Sequence, residues 1–225
     1  MKKIGFIGLG TMGAHFATNL IKAGAEITVH DIRRDNADTH LSAGAKWADT
    51  PRELAAGSEL IMTSLPGPTE VEAVALDETD GLIAGMAPGT VLFDLSTNSP
   101  TMVRHIHTVF AARDLHCLDA PVSGGPKGAA SGKLAIWVGG DEAVFSANRT
   151  PWTSWAIRSA ISVQSVPALW PSSCTTLPVM PFKPPWRKYF PPASRPASNL
   201  WHCLRQFAKA SEDGNELLTA CQNII

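Results

Sequence analysis

Apolar and polar positions fall into short blocks along the first two-thirds of the chain, and each block has the length of one secondary element. Ile4-Gly5-Phe6-Ile7 is an apolar run ending at Gly8, the pattern of a strand buried on both faces. Residues 11–23 follow with Met12, Phe16, Leu20 and Ile21 at near-helical spacing, and Gly24 marks the stop. A second strand is predicted over 26–31, with helices over 36–42 and 51–56. A third strand over 60–65 is stopped by Pro66-Gly67-Pro68, and a helix over 69–75 follows. Strands over 90–96 and 115–120 flank a helix over 100–113, and a strand over 134–138 closes the series.

Strands alternating with helices imply parallel pairing through right-handed crossovers. The predicted fold class is therefore α/β, a Rossmann-type doubly wound, mainly parallel sheet with helices on both faces. Ligands of such sheets bind beyond the carboxyl ends of the strands. The segments just after each strand are thus where chemistry is sought.

Gly8-Leu9-Gly10-Thr11-Met12-Gly13 is G-x-G-x-x-G, placed between a predicted strand and a predicted helix. Asp31 stands 23 positions after Gly8, at the end of the second strand. That is the context a dinucleotide fingerprint requires. Gly8 permits the tight turn, Gly10 lets the backbone approach a pyrophosphate, and Gly13 lets helix and strand pack closely. Leu9, Thr11 and Met12 complete the loop, and the helix start supplies free N–H groups and partial positive charge. Asp31 is the candidate acceptor for the adenosine ribose hydroxyls and favours NAD. Arg33 and Arg34 follow at once and suit the 2′-phosphate of NADP, so NADP stays open as the alternative.

Composition divides the chain near Arg149. Residues 1–149 hold 17 of the 18 glycines and 17 of the 20 acidic residues. Residues 150–225 hold 10 of the 17 prolines, five of the seven tryptophans and three of the four cysteines, and no Asp or Glu occurs from 150 to 211. A soluble domain seldom lacks acids over such a span while carrying so much Trp and Pro. The predicted domains are 1–149, a dinucleotide-binding domain, and 150–225, a largely irregular tail. Its prolines break backbone ladders over 151–199, and only 200–225 has a weak tendency to helix.

Charge and length narrow the partners. A net charge of −1 excludes an electrostatic nucleic-acid binder. No apolar run approaches the roughly 20 residues of a membrane span. Met1-Lys2-Lys3 is followed by too short an apolar stretch for a signal peptide, and four cysteines without a C-x-x-C pair argue against a zinc site. The expectation is a cytoplasmic protein with no metal.

Four segments together resemble the β-hydroxyacid dehydrogenase family, which includes 3-hydroxyisobutyrate dehydrogenase and 2-hydroxy-3-oxopropionate reductase and has a 6-phosphogluconate dehydrogenase-type NAD(P)-binding domain. They are residues 5–13, Ser64-Leu65-Pro66, Asp94-Leu95-Ser96-Thr97-Asn98-Ser99-Pro100, and residues 119–128 with Ser123-Gly124-Gly125 at their centre. The resemblance implies hydride transfer between NAD(P) and the β-hydroxyl or aldehyde of a small hydroxy acid. It gives Ser123, Gly124 and Gly125 the substrate carboxylate, a role that a hydroxyl and two open N–H groups suit. It places Leu65 and Pro66 along the path from adenosine to nicotinamide, and Thr97 beside the nicotinamide ribose. Lys127, Lys133, His105 and His107 read as solvated side chains.

The same resemblance exposes a gap. The family's general acid/base is a lysine in G-x-G-x-x-x-K-x-x-x-N, at the start of an all-helical half that also carries the subunit contacts. Lys183, Lys188 and Lys209 lack those glycines and that asparagine, so no catalytic residue is identifiable. Reading codons from the third base of each, beginning at Pro151, is compatible with the motif. The single Trp codon fixes Asp at Trp152–Thr153, Gly at Trp155–Ala156 and Ala at Trp170–Pro171. Synonymous choices elsewhere permit GPVGAGTVAKLVHN, its lysine spanning the codons of Pro171 and Ser172. Residues 150–225 are accordingly expected to be translated out of frame. Two readings of function stand: an NAD(P)-dependent dehydrogenase by lineage, and a dinucleotide-binding domain without turnover.

Overall fold

The apolar runs become the strands of one sheet. In a computed structural model, which describes residues 2–148, six strands run parallel. They are β1 (Ile4–Ile7), β2 (Ile27–His30), β3 (Lys46–Trp47), β4 (Leu60–Thr63), β5 (Val91–Asp94) and β6 (His116–Asp119), in the order β3-β2-β1-β4-β5-β6. β1, β4 and β5 are buried along their whole length. That follows from having a neighbour on each side and helices on both faces.

The two-residue period of the strands sorts their side chains onto two cores. Phe6, Met62, Phe93 and Leu118 meet Phe16 and Leu20 of α1 (Gly13–Lys22) on one face. Ile7, Ile61, Leu92 and Cys117 face the other way. There they meet Leu54 of α3 (Pro51–Ala56), Val71 of α4 (Pro68–Leu76), Leu82 of α5 (Leu82–Gly85), and Ile106 and Phe110 of α6 (Pro100–Ala111). Each such side chain taken fully out of water contributes roughly 1.5–3 kcal/mol before chain entropy is counted. Between β2 and β3 the chain makes a single 3-10 turn (Arg34–Ala37) and then α2 (Asp38–Ser42).

Helix starts follow side-chain capping. Thr50 accepts the Glu53 N–H at 3.1 Å to open α3, and Ser99 accepts the Met102 N–H at 3.2 Å to open α6. Proline occupies the first turn of α3, α4 and α6, where its missing N–H costs nothing.

Three features depart from the pattern read in the sequence. β3 and α5 are too short to leave a periodic signal. The strand expected over 134–138 is β8 (Ala135–Ile136), and it does not extend the parallel sheet. It pairs antiparallel with β7 (Val122–Ser123) in a separate two-stranded sheet. The cause lies at the end of β6, where the Asp119 N–H and C=O are both taken by Gly139 in an antiparallel bridge. Between β7 and β8 lies α7 (Gly125–Ser131), and α8 (Glu142–Ala147) ends the described segment, capped by Asp141. The expected irregular stretch over 151–199 and weak helix over 200–225 lie outside the described residues. Among the described residues, no helix is long and apolar enough to cross a membrane.

Candidate functional site

Strand order reverses at β1, which has β2 on one side and β4 on the other. The loops after β1 and β4 therefore diverge, leaving a crevice at their carboxyl ends. Gly8 leaves β1 with φ +93°, its N–H held by the His30 carbonyl at 3.0 Å. A Cβ there would drive into the Ser64 carbonyl, so only glycine makes this turn. A Cβ at Gly13 would overlap the Gly8 carbonyl oxygen, which is the close approach of helix to turn that the spacing predicts. Gly10 differs from both: a Cβ there would meet no protein atom within 4 Å. Packing among the described residues does not demand glycine at position 10, and the backbone there is open to close approach by an external group.

The loop beyond Gly8 is tied to the end of β2. Asp31 Oδ2 accepts the Leu9 N–H at 2.7 Å, while Oδ1 accepts the Arg33 N–H at 2.8 Å and the Asn36 side-chain amide at 3.0 Å. A carboxylate on a buried residue with three donors is held rigidly in place. Thr11 is exposed and Met12 half-buried at the start of α1, whose first turn carries no acid and no side-chain cap. Free N–H groups, an open Gly10 and a fixed carboxylate fit the pyrophosphate and ribose of a dinucleotide.

The two arginines behind Asp31 part company. Arg34 lies over the Trp47 ring at 5.0 Å and 3.6 Å from Asp49. Arg33 is exposed, as is Ile32 between it and Asp31, with 97% of its surface in solvent.

Across the crevice, Leu65 is half-buried and donates its backbone N–H to Ser96 Oγ at 2.9 Å, and Pro66 is exposed. Thr97 is exposed between buried Ser96 and Asn98. Ser123 sits on β7, paired with Ala135. Gly124 follows at φ +126° as the residue before α7, and Gly125 is open, with nothing within 4 Å of an added Cβ. Lys127, Lys133, His105 and His107 are exposed.

A pair of acids went unremarked in the sequence. Asp94 and Asp119 close the buried strands β5 and β6 and are register partners. Asp94 accepts from Thr63, Ser96 and Asn98, whereas Asp119 Oδ1 is buried with no partner among the described residues. Burial pushes both carboxyls upward, and the hydrogen-bond donors pull Asp94 back. Burial first and the Asp94 charge second raise Asp119 to about 7. Burial, then these two acids, pushes the Cys117 thiol well up. The available signal was an Asp closing each of two apolar runs, Val91-Leu92-Phe93-Asp94 and His116-Cys117-Leu118-Asp119.

Residues 3–156 match the NAD binding domain of 6-phosphogluconate dehydrogenase. The chain belongs to this family. The NAD-dependent L-serine dehydrogenase of Pseudomonas aeruginosa is 48% identical over 141 residues, which are 63% of this chain and 47% of that one. The probable mitochondrial 3-hydroxyisobutyrate dehydrogenase of Dictyostelium discoideum is 41% identical over 149 residues, 66% of this chain and 46% of the other. Among solved structures, 3-hydroxyisobutyrate dehydrogenase from Salmonella typhimurium superposes with a TM-score of 0.69 at 27% identity, covering 77% of this chain and 60% of that one. The chain spans about half the length of these curated relatives, 47% and 46%. The NAD-binding domain, the α/β fold and the kinship with hydroxyacid dehydrogenases expected from the four segments thus hold.

Proposed function

We propose that this polypeptide takes up NAD in the crevice between β1 and β4 and, although descended from β-hydroxyacid dehydrogenases, does not turn over a hydroxy acid. The tie between Asp31 and the Leu9 N–H carries the first half, because it brings the glycine turn and the ribose-binding acid into one rigid unit. Gly8 to Gly13 would hold the pyrophosphate, Asp31 the adenosine ribose, and Leu65, Pro66 and Thr97 the nicotinamide side. Ser123, Gly124 and Gly125 would receive the carboxylate of a small hydroxy acid such as L-serine or 3-hydroxyisobutyrate. Bound NAD supplies a hydride acceptor for a carbon bearing a hydroxyl. Oxidation of that hydroxyl also needs a base to remove its proton. The family's lysine segment is missing from residues 150–225, so the proton has no assigned acceptor. We attribute this to a change of reading frame near Arg149-Thr150. NAD is preferred over NADP, since the Asp31 carboxylate opposes a 2′-phosphate and Arg34 is engaged with Trp47 and Asp49.

The second reading, an active dehydrogenase, draws on the 48% identity to an L-serine dehydrogenase. Titration with NADH followed by assay with L-serine, 3-hydroxyisobutyrate and tartronate semialdehyde separates the two. Saturable NADH binding without turnover is the expected result, and turnover by the purified chain refutes it. No saturable binding refutes both.

A further inference from the structure

The carboxyl ends of β4 and β5 are joined by a polar chain. Thr63 and Asp94 are register partners, and Thr63 Oγ1 donates to Asp94 Oδ1 at 2.9 Å. The Ser96 N–H donates to the same oxygen at 3.1 Å, and the Asn98 side-chain amide donates to Oδ2 at 3.1 Å. Asn98 Oδ1 in turn accepts the Ser99 N–H at 2.8 Å, and Ser99 caps α6. Ser96 Oγ accepts the Leu65 N–H at 2.9 Å, which reaches the loop after β4. One carboxylate therefore governs the loop after β5 directly and the loop after β4 through Ser96.

Asp94, Ser96 and Asn98 are each only 3% exposed, while Thr97 between them points to solvent. Burying a carboxylate against three donors is a costly way to close two strands, since an apolar side chain of similar size would do so without desolvation. What the network adds is direction. With Ser96 and Asn98 drawn inward by the same group, Thr97 can only face out.

We infer that Asp94 is a positioning residue for the nicotinamide half of bound NAD, fixing Thr97 and Leu65 from beneath without touching the dinucleotide. The inference rests on the reading that NAD occupies the β1–β4 crevice. The adenosine half is served by Gly8 to Gly13 and Asp31, on the far side of β1 from Asp94, so the two halves of the ligand should respond differently to a change at position 94.

The test uses the full chain and two ligands, NADH and ADP, which lacks both the nicotinamide and the ribose that carries it. Asp94→Asn sets an amide against the Asn98 amide and leaves a donor facing a donor. NADH should bind about tenfold more weakly, a loss of about 1.4 kcal/mol, while ADP affinity stays within about twofold. Asn98→Asp places two carboxylates together and should show the same selective loss. The exchanged pair, Asp94→Asn with Asn98→Asp, restores a donor opposite an acceptor and should recover NADH affinity to within about threefold. Should Asp94→Asn fail to fold, Asn98→Ala removes one donor from the network and is read by the same ratio. Equal loss of both ligands, unchanged NADH affinity, or no recovery in the exchanged pair overturns the proposal. If the unaltered chain binds neither ligand, the dinucleotide reading falls, and this inference with it.

Discussion

Asp94 and Asp119 stand opposite each other at the carboxyl edge of β5 and β6, one carboxylate ringed by donors and the other with a buried oxygen that has no partner among the described residues. Two charges so placed in a poorly solvated site oppose one another. As pH falls the proton goes first to the acid with fewer donors, so Asp119 is raised to about 7 by burial and the Asp94 charge, while the donors around Asp94 pull its carboxyl back down.

A pH dependence of stability follows. The folded chain holds the Asp119 proton to about pH 7, whereas an ordinary Asp releases it near 3.8. Between those values the folded state binds more protons than the unfolded one, so this group's contribution is full below about pH 4 and is lost as pH climbs through 7. Asp119→Asn keeps the shape and removes the titration. It should match the parent chain at pH 4 and exceed it at pH 8, by up to roughly 4 kcal/mol, with part of the slope remaining because Asp94 is also raised. Urea unfolding at both pH values measures this, and an unchanged slope would count against the assignment.

The glycines of the turn separate a folding role from a binding role. Gly13→Ala forces a Cβ into the Gly8 carbonyl, a backbone group that cannot swing aside, and should cost about 3 kcal/mol or more. Gly10→Ala meets no protein atom and should leave the melting temperature within about 2 °C of the parent while lowering NADH affinity at least tenfold. Melting curves beside NADH titrations check both. Equal melting losses in the two variants would mean that Gly10 serves the fold alone.

These contrasts show why some of the site was legible in the sequence and some was not. Gly8, Gly10, Gly13 and Asp31 could be read because their relation is a spacing along one strand-helix-strand unit. β3 could not, because Lys46 and Trp47 carry no pattern of their own and become a strand only by pairing with Thr28 and Val29. The direction of β8 depends on Gly139 taking both backbone groups of Asp119, a contact twenty positions apart. Asp94 and Asp119 are likewise brought together by register, and each alone reads as an ordinary turn residue at a strand end.

Cofactor choice should turn on Asp31. Replacing it by Ser removes the anchor of the Leu9 N–H and the charge that opposes a 2′-phosphate. Asp31→Ser should weaken NADH by about tenfold, since a hydrogen bond to a charged group is worth roughly 1.5–3 kcal/mol. NADPH should keep its affinity, or tighten through exposed Arg33, so the ratio of the two affinities falls by about tenfold or more. Competition titrations with both cofactors give that ratio directly, and an unaltered ratio would place the discrimination elsewhere.

The proposal that no proton acceptor remains makes the strongest demand. If residues 150–225 are translated in a shifted frame, the nucleotide sequence of codons 140–180 should encode G-x-G-x-x-x-K-x-x-x-N when read from the third base of each codon from Pro151 onward. Restoring that frame should turn an NADH-binding but inert chain into one that oxidises a small hydroxy acid such as L-serine or 3-hydroxyisobutyrate. Replacing the restored lysine by alanine should then abolish at least about 99% of kcat, because general acid/base catalysis contributes roughly 100-fold or more. NADH affinity, set by Gly8 to Gly13 and Asp31, should be the same before and after restoration to within about threefold. Activity in the unrestored chain, or a shifted frame without the lysine motif, would show that the proton is handled by a residue of the chain as it stands, and Lys127 and Lys133 beside the Ser123-Gly124-Gly125 loop would be the first to replace.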